Sequence, residues 1–381
     1  MKSVLSERKT FHPHDIERRE LSAATAAAVR RIAGEICATL PDGPRAAVAR
    51  TLTDPALLTL IEEGTADLPE EVRHAMRAPG DAGACVVRRI PVTDDEFGPT
   101  PPSWREAARW SADTRRGNSF QLDVVLLLLA RAAGEPFGWH GQQDGRLVNN
   151  ILPTPGHEDE QSGASSKTLL CPHTEDAFHP ARANLLMLGC LRNPDRVGTT
   201  VSSVRRAELT DDERALLSTP TLPILPDVSY GTGHEKYTPP PLPTMWDAAE
   251  TSGGASAPTL RYDPAYTPLD DADPEFRRAY TRLTAELERV CVTAALAPGE
   301  LLLVDNDVAV HGRVPFTARY DGTDRWLKRV NIRLPERPRR PAEADENGYG
   351  QRIVAPFRNG NGRAETERET TTHDRGTVEH S

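Results

Sequence analysis

Three stretches in close succession decide the fold class: SKTLLCPHTE (166–175), ANLLMLGCL (183–191) and GTTVSSV (198–204). Each is a short apolar or β-branched run bounded by Gly, Pro or Asn, the pattern of strands rather than helices. Outward from them, RLVNNILPT (146–154) lies before, and PTLRYD (258–263), ELLLVDNDVAVHGR (300–313) and WLKRVNIRLP (326–335) lie after. Many short strands separated by turns indicate a sandwich or barrel rather than a βαβ sheet. One helix is expected among them, over 274–296, because Phe276, Tyr280, Leu283, Leu287, Val290 and Ala294 form one apolar stripe at helical spacing. Such a helix packs on the outside of the sheets.

Toward the N-terminus the character is helical. Apolar residues recur at helical spacing over 22–40 and 53–78, with Pro55 and Pro69 where helix starts tolerate them, and again over 104–133. ACVVRRIPV (84–92) is the strand between them. The expectation is one domain over 1–336, with a mainly helical layer at 22–136 and a β core at 137–336. Two Gly- and Pro-rich segments, 155–166 and 227–258, have the composition of lid loops, and the charged tail 337–381 is expected to be disordered.

The chain has 381 residues, 56 acidic against 46 basic, for a net charge of −10. That balance opposes binding to nucleic acid or to anionic membranes. The longest apolar run, Val124 to Ala130, is far short of the roughly 20 residues a membrane span needs, and no secretory signal opens the chain. Five cysteines, odd in number and widely spaced, fit a reduced, cytoplasmic setting. Nothing in the pattern indicates an oligomeric state.

The chemistry is concentrated in CPHTEDAFHP (171–180). His173 and Glu175 are two apart in an expected strand and so share a face. His311, ending the strand LLLVDNDVAVHGR, brings a second imidazole. Two histidines and one carboxylate are the facial triad that holds Fe(II) and leaves positions open; they are also a common catalytic zinc set. His179 and Asp176 are rival donors, ranked lower. Arg325 and Arg329 lie four apart, on one strand face about 13 Å apart, and could grip two different carboxylates. The bland alternatives are a locally bonded His173, an exposed basic edge strand, a zinc hydrolase, or a non-catalytic metal-binding module.

HTEDAFHP, RNP at 192–194, the Thr199–Thr200 pair, QQDGRLV at 142–148 and DNDVAVHGR followed by RWLKR together resemble the clavaminate-synthase-like Fe(II)/2-oxoglutarate oxygenases, over about residues 120–335. Within that family the likeness is nearest to the arginine hydroxylases of viomycin- and streptolidine-type antibiotic biosynthesis. The resemblance implies an α+β fold: a double-stranded β-helix, or jelly roll, flanked by N-terminal helices and an inserted helix. It makes His173, Glu175 and His311 the iron ligands and Arg325, assisted by Thr200 or Thr199, the partner of the distal 2-oxoglutarate carboxylate. Arg329 would take the α-carboxylate of an amino-acid substrate, Gln142 and Glu175 its amine, and Asp263 a distal cation.

The implied reaction uses Fe(II), 2-oxoglutarate and O₂ to hydroxylate a free basic amino acid. L-arginine or a guanidino relative at C3 ranks first, with C4 oxidation, dihydroxylation or desaturation behind, and lysine or asparagine as alternative substrates. Glu175 argues against a halogenase, in which a small residue makes room for chloride. Two departures from the arginine enzymes bear on the side chain recognised: Ala265 stands where they have a second acid, and Gly163 where a serine contact is expected.

Overall fold

ANLLMLGCL and ELLLVD are apolar at consecutive positions because both faces of their sheet are covered. In the computed structural model, which describes residues 16–40, 51–113, 117–231, 233–248, 257–337 and 339–357, fourteen strands can be numbered in chain order. The larger sheet has eight: β1 (Glu17–Glu20), β2 (Ala84–Arg88), β3 (Glu135–Trp139), β4 (Asn149–Ile151), β6 (Leu185–Arg192), β11 (Leu301–Asp305), β13 (Trp326–Arg333) and β14 (Ile353–Val354). Their order is β1-β2-β11-β6-β13-β3-β14, with β4 also on β13. The smaller sheet is β10 (Val292–Ala294), β7 (Thr199–Ser203), β12 (Ala309–Arg313) and β5 (Leu170–His173), and a separate pair joins β8 (Met245–Ala248) to β9 (Ala257–Leu260).

Alternation assigns each face. Leu185, Met187, Leu301, Leu303 and Val330 pack on the N-terminal helices α1 (Ala23–Thr39), α2 (Pro55–Ala66), α3 (Glu70–Ala75) and α5 (Gly117–Ala133). Leu186, Leu188, Leu302, Val304 and Leu327 face the smaller sheet at Val201 and Ala309. The outer side of that sheet, through Val308 and Val310, is covered by α6 (Asp211–Ser218) and α7 (Pro274–Arg289). The fold is thus a mixed arrangement of helices on two stacked sheets, and the space between the sheets receives the polar residues discussed below.

Several expected elements are divided. The 53–78 helix is two, because Pro69 caps the second, and the 104–133 helix is α4 (Trp104–Ala112) followed by α5. The helix expected over 274–296 stops at Arg289: Phe276, Tyr280, Leu283 and Leu287 are buried on one face, but Val290 is the C-cap and Ala294 belongs to β10. ELLLVDNDVAVHGR is two strands in different sheets, so His311 lies inside β12. The turn between them hydrogen-bonds to itself, Val308 N–H to Asp305 C=O, and carries the chain from one sheet to the other. Strand β5 ends at His173, and β9 at Leu260, leaving Glu175 and Asp263 in irregular backbone.

The disordered-tail expectation is corrected over 339–357. That segment is docked, with short 3₁₀ turns at Pro341–Asp345 and Gly348–Gly350, β14 paired to β3, and Phe357 buried in the helical core. Residues 358–381 lie outside the described residues, as do 232 and 249–256 of the expected second lid loop.

Candidate metal centre and substrate pocket

Strand pairing places β5 against β12 with His173 opposite His311. Their rings lie 4.5 Å apart between centroids. Glu175 reaches the pair from the turn beyond β5: its Oε2 is 3.7 Å from His173 Nε2 and 3.4 Å from His311 Nε2. One ligand atom from each residue falls within 4.8 Å of the others, and the 3.4 and 3.7 Å separations of the carboxylate from the imidazoles are ones that an ion with bonds of about 2.0–2.2 Å can bridge. The shared-face argument for His173 and Glu175 fails, since Glu175 is not in a strand. What positions it is Asn306, whose Oδ1 accepts from Glu175 N–H (2.8 Å) while its Nδ2 donates to the carbonyls of Glu175 and Ala183. Asn306 was legible only as the centre of DND, with no role.

The donors fit a metal in orientation as well as in kind. His173 Nδ1–H donates to the Cys171 carbonyl (2.8 Å), which aims Nε2 at the centre. Burial disfavours charge on Glu175, but Arg329 and the two histidines hold its carboxyl well below the usual carboxylate range. The rival donors are engaged elsewhere. His179 bonds to the Gln351 carbonyl and the Ala181 N–H, and Asp176 accepts from Tyr230 OH (2.5 Å) and Trp139 Nε1 (2.7 Å).

Arg325 and the odd-numbered residues of β13 point between the sheets, whereas Trp326, Val330 and Ile332 point to the helices. Arg325 is buried, and burial lowers its guanidinium to about 10. Among the described residues no carboxylate pairs with it: Nη2 donates to Thr199 Oγ1 (3.0 Å) and Nε has no partner. This corrects Thr200. Val201 of β7 faces inward, so Thr199 does too, and Thr200 turns away with its hydroxyl unpartnered.

Arg329 joins the expected substrate residues into one network. It donates to Glu175 Oε1, to Gln142 Oε1 (2.6 Å) and to Asn149 Oδ1 (3.1 Å). Gln142 Nε2 in turn donates to Ser229 Oγ (3.0 Å) in the loop that starts at Asp227, expected as a lid and called the covering loop for that reason. Asp263 is buried nearby, its Oδ1 accepting from Ala265 N–H. Burial pushes its carboxyl up to about 6, and the charge of Asp227 adds to this. Asp227 opens the covering loop and is itself raised by burial. It is a second pocket acid that sequence reading missed, because it lies 36 positions before Asp263 and no spacing rule links them.

Residues 125–331 match the family described as taurine catabolism dioxygenase TauD, TfdA family. The enduracididine beta-hydroxylase of Streptomyces hygroscopicus is 35% identical over 302 residues, 72% of this chain and 85% of that protein. The L-ornithine/L-arginine 3-hydroxylase of Catenulispora acidiphila is 35% identical over 265 residues, 65% of this chain and 76% of its own. Among solved structures, the non-heme iron oxygenase OrfP in complex with Fe and alpha-ketoglutaric acid superposes with a TM-score of 0.68 at 37% identity, covering 83% of this chain and 94% of that one. OrfP has also been solved with Fe, succinate and (3S)-hydroxy-L-Arg.

Proposed function

We propose, for a chain that belongs to the TauD, TfdA family of dioxygenases, that it hydroxylates a free basic amino acid, L-arginine or a guanidino relative, at C3 in specialised-metabolite biosynthesis. It is a non-haem oxygenase that uses Fe(II), 2-oxoglutarate and O₂. The two sheets are read as the double-stranded β-helix of that family, and the site lies between them. The observation that carries the reading is the buried Arg325, without a carboxylate partner among the described residues, held at Thr199, two positions along β7 from the Val201 that pairs with His311 of the cluster of two imidazoles and a carboxylate. A zinc hydrolase or a structural metal module has no use for that cation.

His173, Glu175 and His311 would hold the iron, where O₂ would be the oxidant and 2-oxoglutarate, in going to succinate and CO₂, would give two of the four electrons O₂ takes up, the substrate giving the other two. Arg325 and Thr199 bind the distal carboxylate of the cosubstrate, a charge-assisted contact in a dry site. Arg329 takes the substrate α-carboxylate. In doing so it releases Gln142 Oε1 and the outer oxygen of Glu175, both now occupied by Arg329, to accept from the α-ammonium group. Anchored at that end, the amino acid presents Cβ or Cγ to the metal, and its distal cation runs toward Asp263 and Asp227. Two pocket acids, Asp263 buried and Asp227 half-buried, are stabilised when a cation enters, which favours arginine over a neutral side chain although Ala265 is not acidic.

The net charge of −10 supports a small-molecule substrate over nucleic acid. No described helix is long and apolar enough to cross a membrane, and the cytoplasm is the compartment that fits the free cysteines. Mass spectrometry after incubation of arginine, lysine, ornithine and asparagine with Fe(II) and 2-oxoglutarate tests the proposal. A +16 product from arginine, with succinate in equal amount, is expected; turnover confined to asparagine would remove the basic-substrate reading.

A further inference from the structure

Residues 343–354 run across the side of the molecule that carries the substrate contacts. Glu343 and Glu346 enclose Arg261, which is fully buried: its Nη1 donates to Glu346 Oε1 (2.9 Å) and Oε2 (3.0 Å) and to Glu343 Oε1 (3.3 Å), and its Nε to the Ala177 carbonyl (2.9 Å). Arg261 lies two residues before Asp263. Tyr262, between them, is held on the other side by a reciprocal pair with Thr174, N–H to Oγ1 and carbonyl to N–H. Asp263 is therefore placed by a backbone segment fixed between the metal-site turn and the C-terminal segment.

The same twelve-residue run touches the other substrate elements. Ile353 and Val354 pair with Trp139 and Gly138 of β3, and the Arg352 carbonyl accepts from His140 N–H, which orders the turn leading to Gln142. Gly350, at a φ of 69°, faces the Tyr237 side chain of the covering loop so closely that an added Cβ would overlap it. The Tyr349 ring packs on Phe178 and His234, at 6.0 and 6.2 Å between centroids. No hydrogen bond or ion pair joins this run to His173, His311, Arg325 or Thr199 among the described residues.

We propose that residues 343–354 are a positioning element for the amino-acid half of the site, with Arg261 the residue through which Glu343 and Glu346 place Asp263. This rests on Asp263 binding the substrate's distal cation. The element sets amino-acid affinity and leaves the binding of iron and 2-oxoglutarate alone. A purely stabilising segment would instead weaken every ligand together, or none.

The test uses the full chain with Glu346→Gln, which loses half of the charged clamp but keeps its shape, Glu346→Asp as the conservative variant, and Gly350→Ala, which displaces Tyr237 and leaves the ion pairs intact. Expected for Glu346→Gln and Gly350→Ala is a KM for arginine raised at least about fivefold, with kcat, the KM for 2-oxoglutarate and the anaerobic iron–2-oxoglutarate absorption band unchanged. Glu346→Asp should recover part of the lost affinity. Amide hydrogen exchange without amino acid is read alongside, and should quicken at 259–267 in Glu346→Gln and at 233–240 in Gly350→Ala. Unchanged exchange at those segments, or loss of the iron–2-oxoglutarate band in step with the KM, overturns the proposal. Wild-type protein that forms the band but turns over no basic amino acid would instead reject the substrate reading, while the exchange result still decides whether the segment positions Asp263.

Discussion

Arg325 carries a buried charge whose only described protein bond is to a hydroxyl. Such a guanidinium is tolerable when an anion completes it, and truncating one partner of a buried charged pair typically loses about 2–5 kcal/mol. Arg325→Ala should therefore raise the 2-oxoglutarate requirement by at least about 30-fold while iron still binds. Titrating the cosubstrate under anaerobic conditions checks this, and unaltered affinity would place its carboxylate elsewhere. Asp263 makes a second prediction. With its carboxyl pushed up to about 6, chiefly by burial, it is ionised at pH 7.5 and protonated at pH 5, and only the ionised form attracts a cation. The KM for arginine should rise as pH falls through about 6, approaching tenfold per unit below it, and level off above pH 7. Neutral asparagine is the control: an identical pH profile for it would remove Asp263 from cation binding.

At the scale of elements, the strand that presents both arginines is held from behind. Lys328, between them on β13, points into the helical layer, where its Nζ meets Asp123 of α5; Arg146 Nη2 (3.2 Å) and Ser111 Oγ (2.6 Å) share that carboxylate. All of the charge is buried. Removing the acid leaves two cations without their partner, a change that destabilises by about 3–5 kcal/mol. Asp123→Ala should shift urea unfolding by that amount, with iron and 2-oxoglutarate still bound by the protein that remains folded. A shift within about 0.5 kcal/mol, the range of ordinary surface substitutions, would mean that water or another group takes over the charge.

At the scale of the whole molecule, the metal and cosubstrate half of the site is assembled from four distant parts of the chain: β5 and its turn, β7, the β11–β12 turn with β12, and the segment of Arg325 leading into β13. Both imidazoles sit on the smaller sheet, which has an apolar core on each face without them, so metal removal should leave the fold standing. The iron–2-oxoglutarate complex of the wild type should show the weak visible band of a chelated keto acid in the absence of O₂. His311→Ala should lose that band and keep its far-ultraviolet circular dichroism. Unfolding of the variant under mild conditions would identify the metal as structural.

What the sequence determined by itself is local and chemical. Strand-like runs and the two arginines are readable from side-chain type and a period of two, whereas His173, Glu175 and His311 are readable from donor type alone, since Glu175 stands beyond the end of β5. The resemblance ranks Thr200 ahead of Thr199 beside Arg325, and it is Thr199 that meets the guanidinium, since two adjacent threonines differ only in the face they take and Val201, packing between the sheets, decides it. The tertiary structure alone placed Glu175, which Asn306 holds from a turn 131 positions away. It alone brought Asp227 toward Asp263, and it docked residues 339–357, whose charged composition reads as solvated until Arg182, Arg261 and Asp307 are seen to bury the matching charges. Those contacts join residues far apart in the chain, and no periodicity or composition encodes a partner that only folding brings within reach.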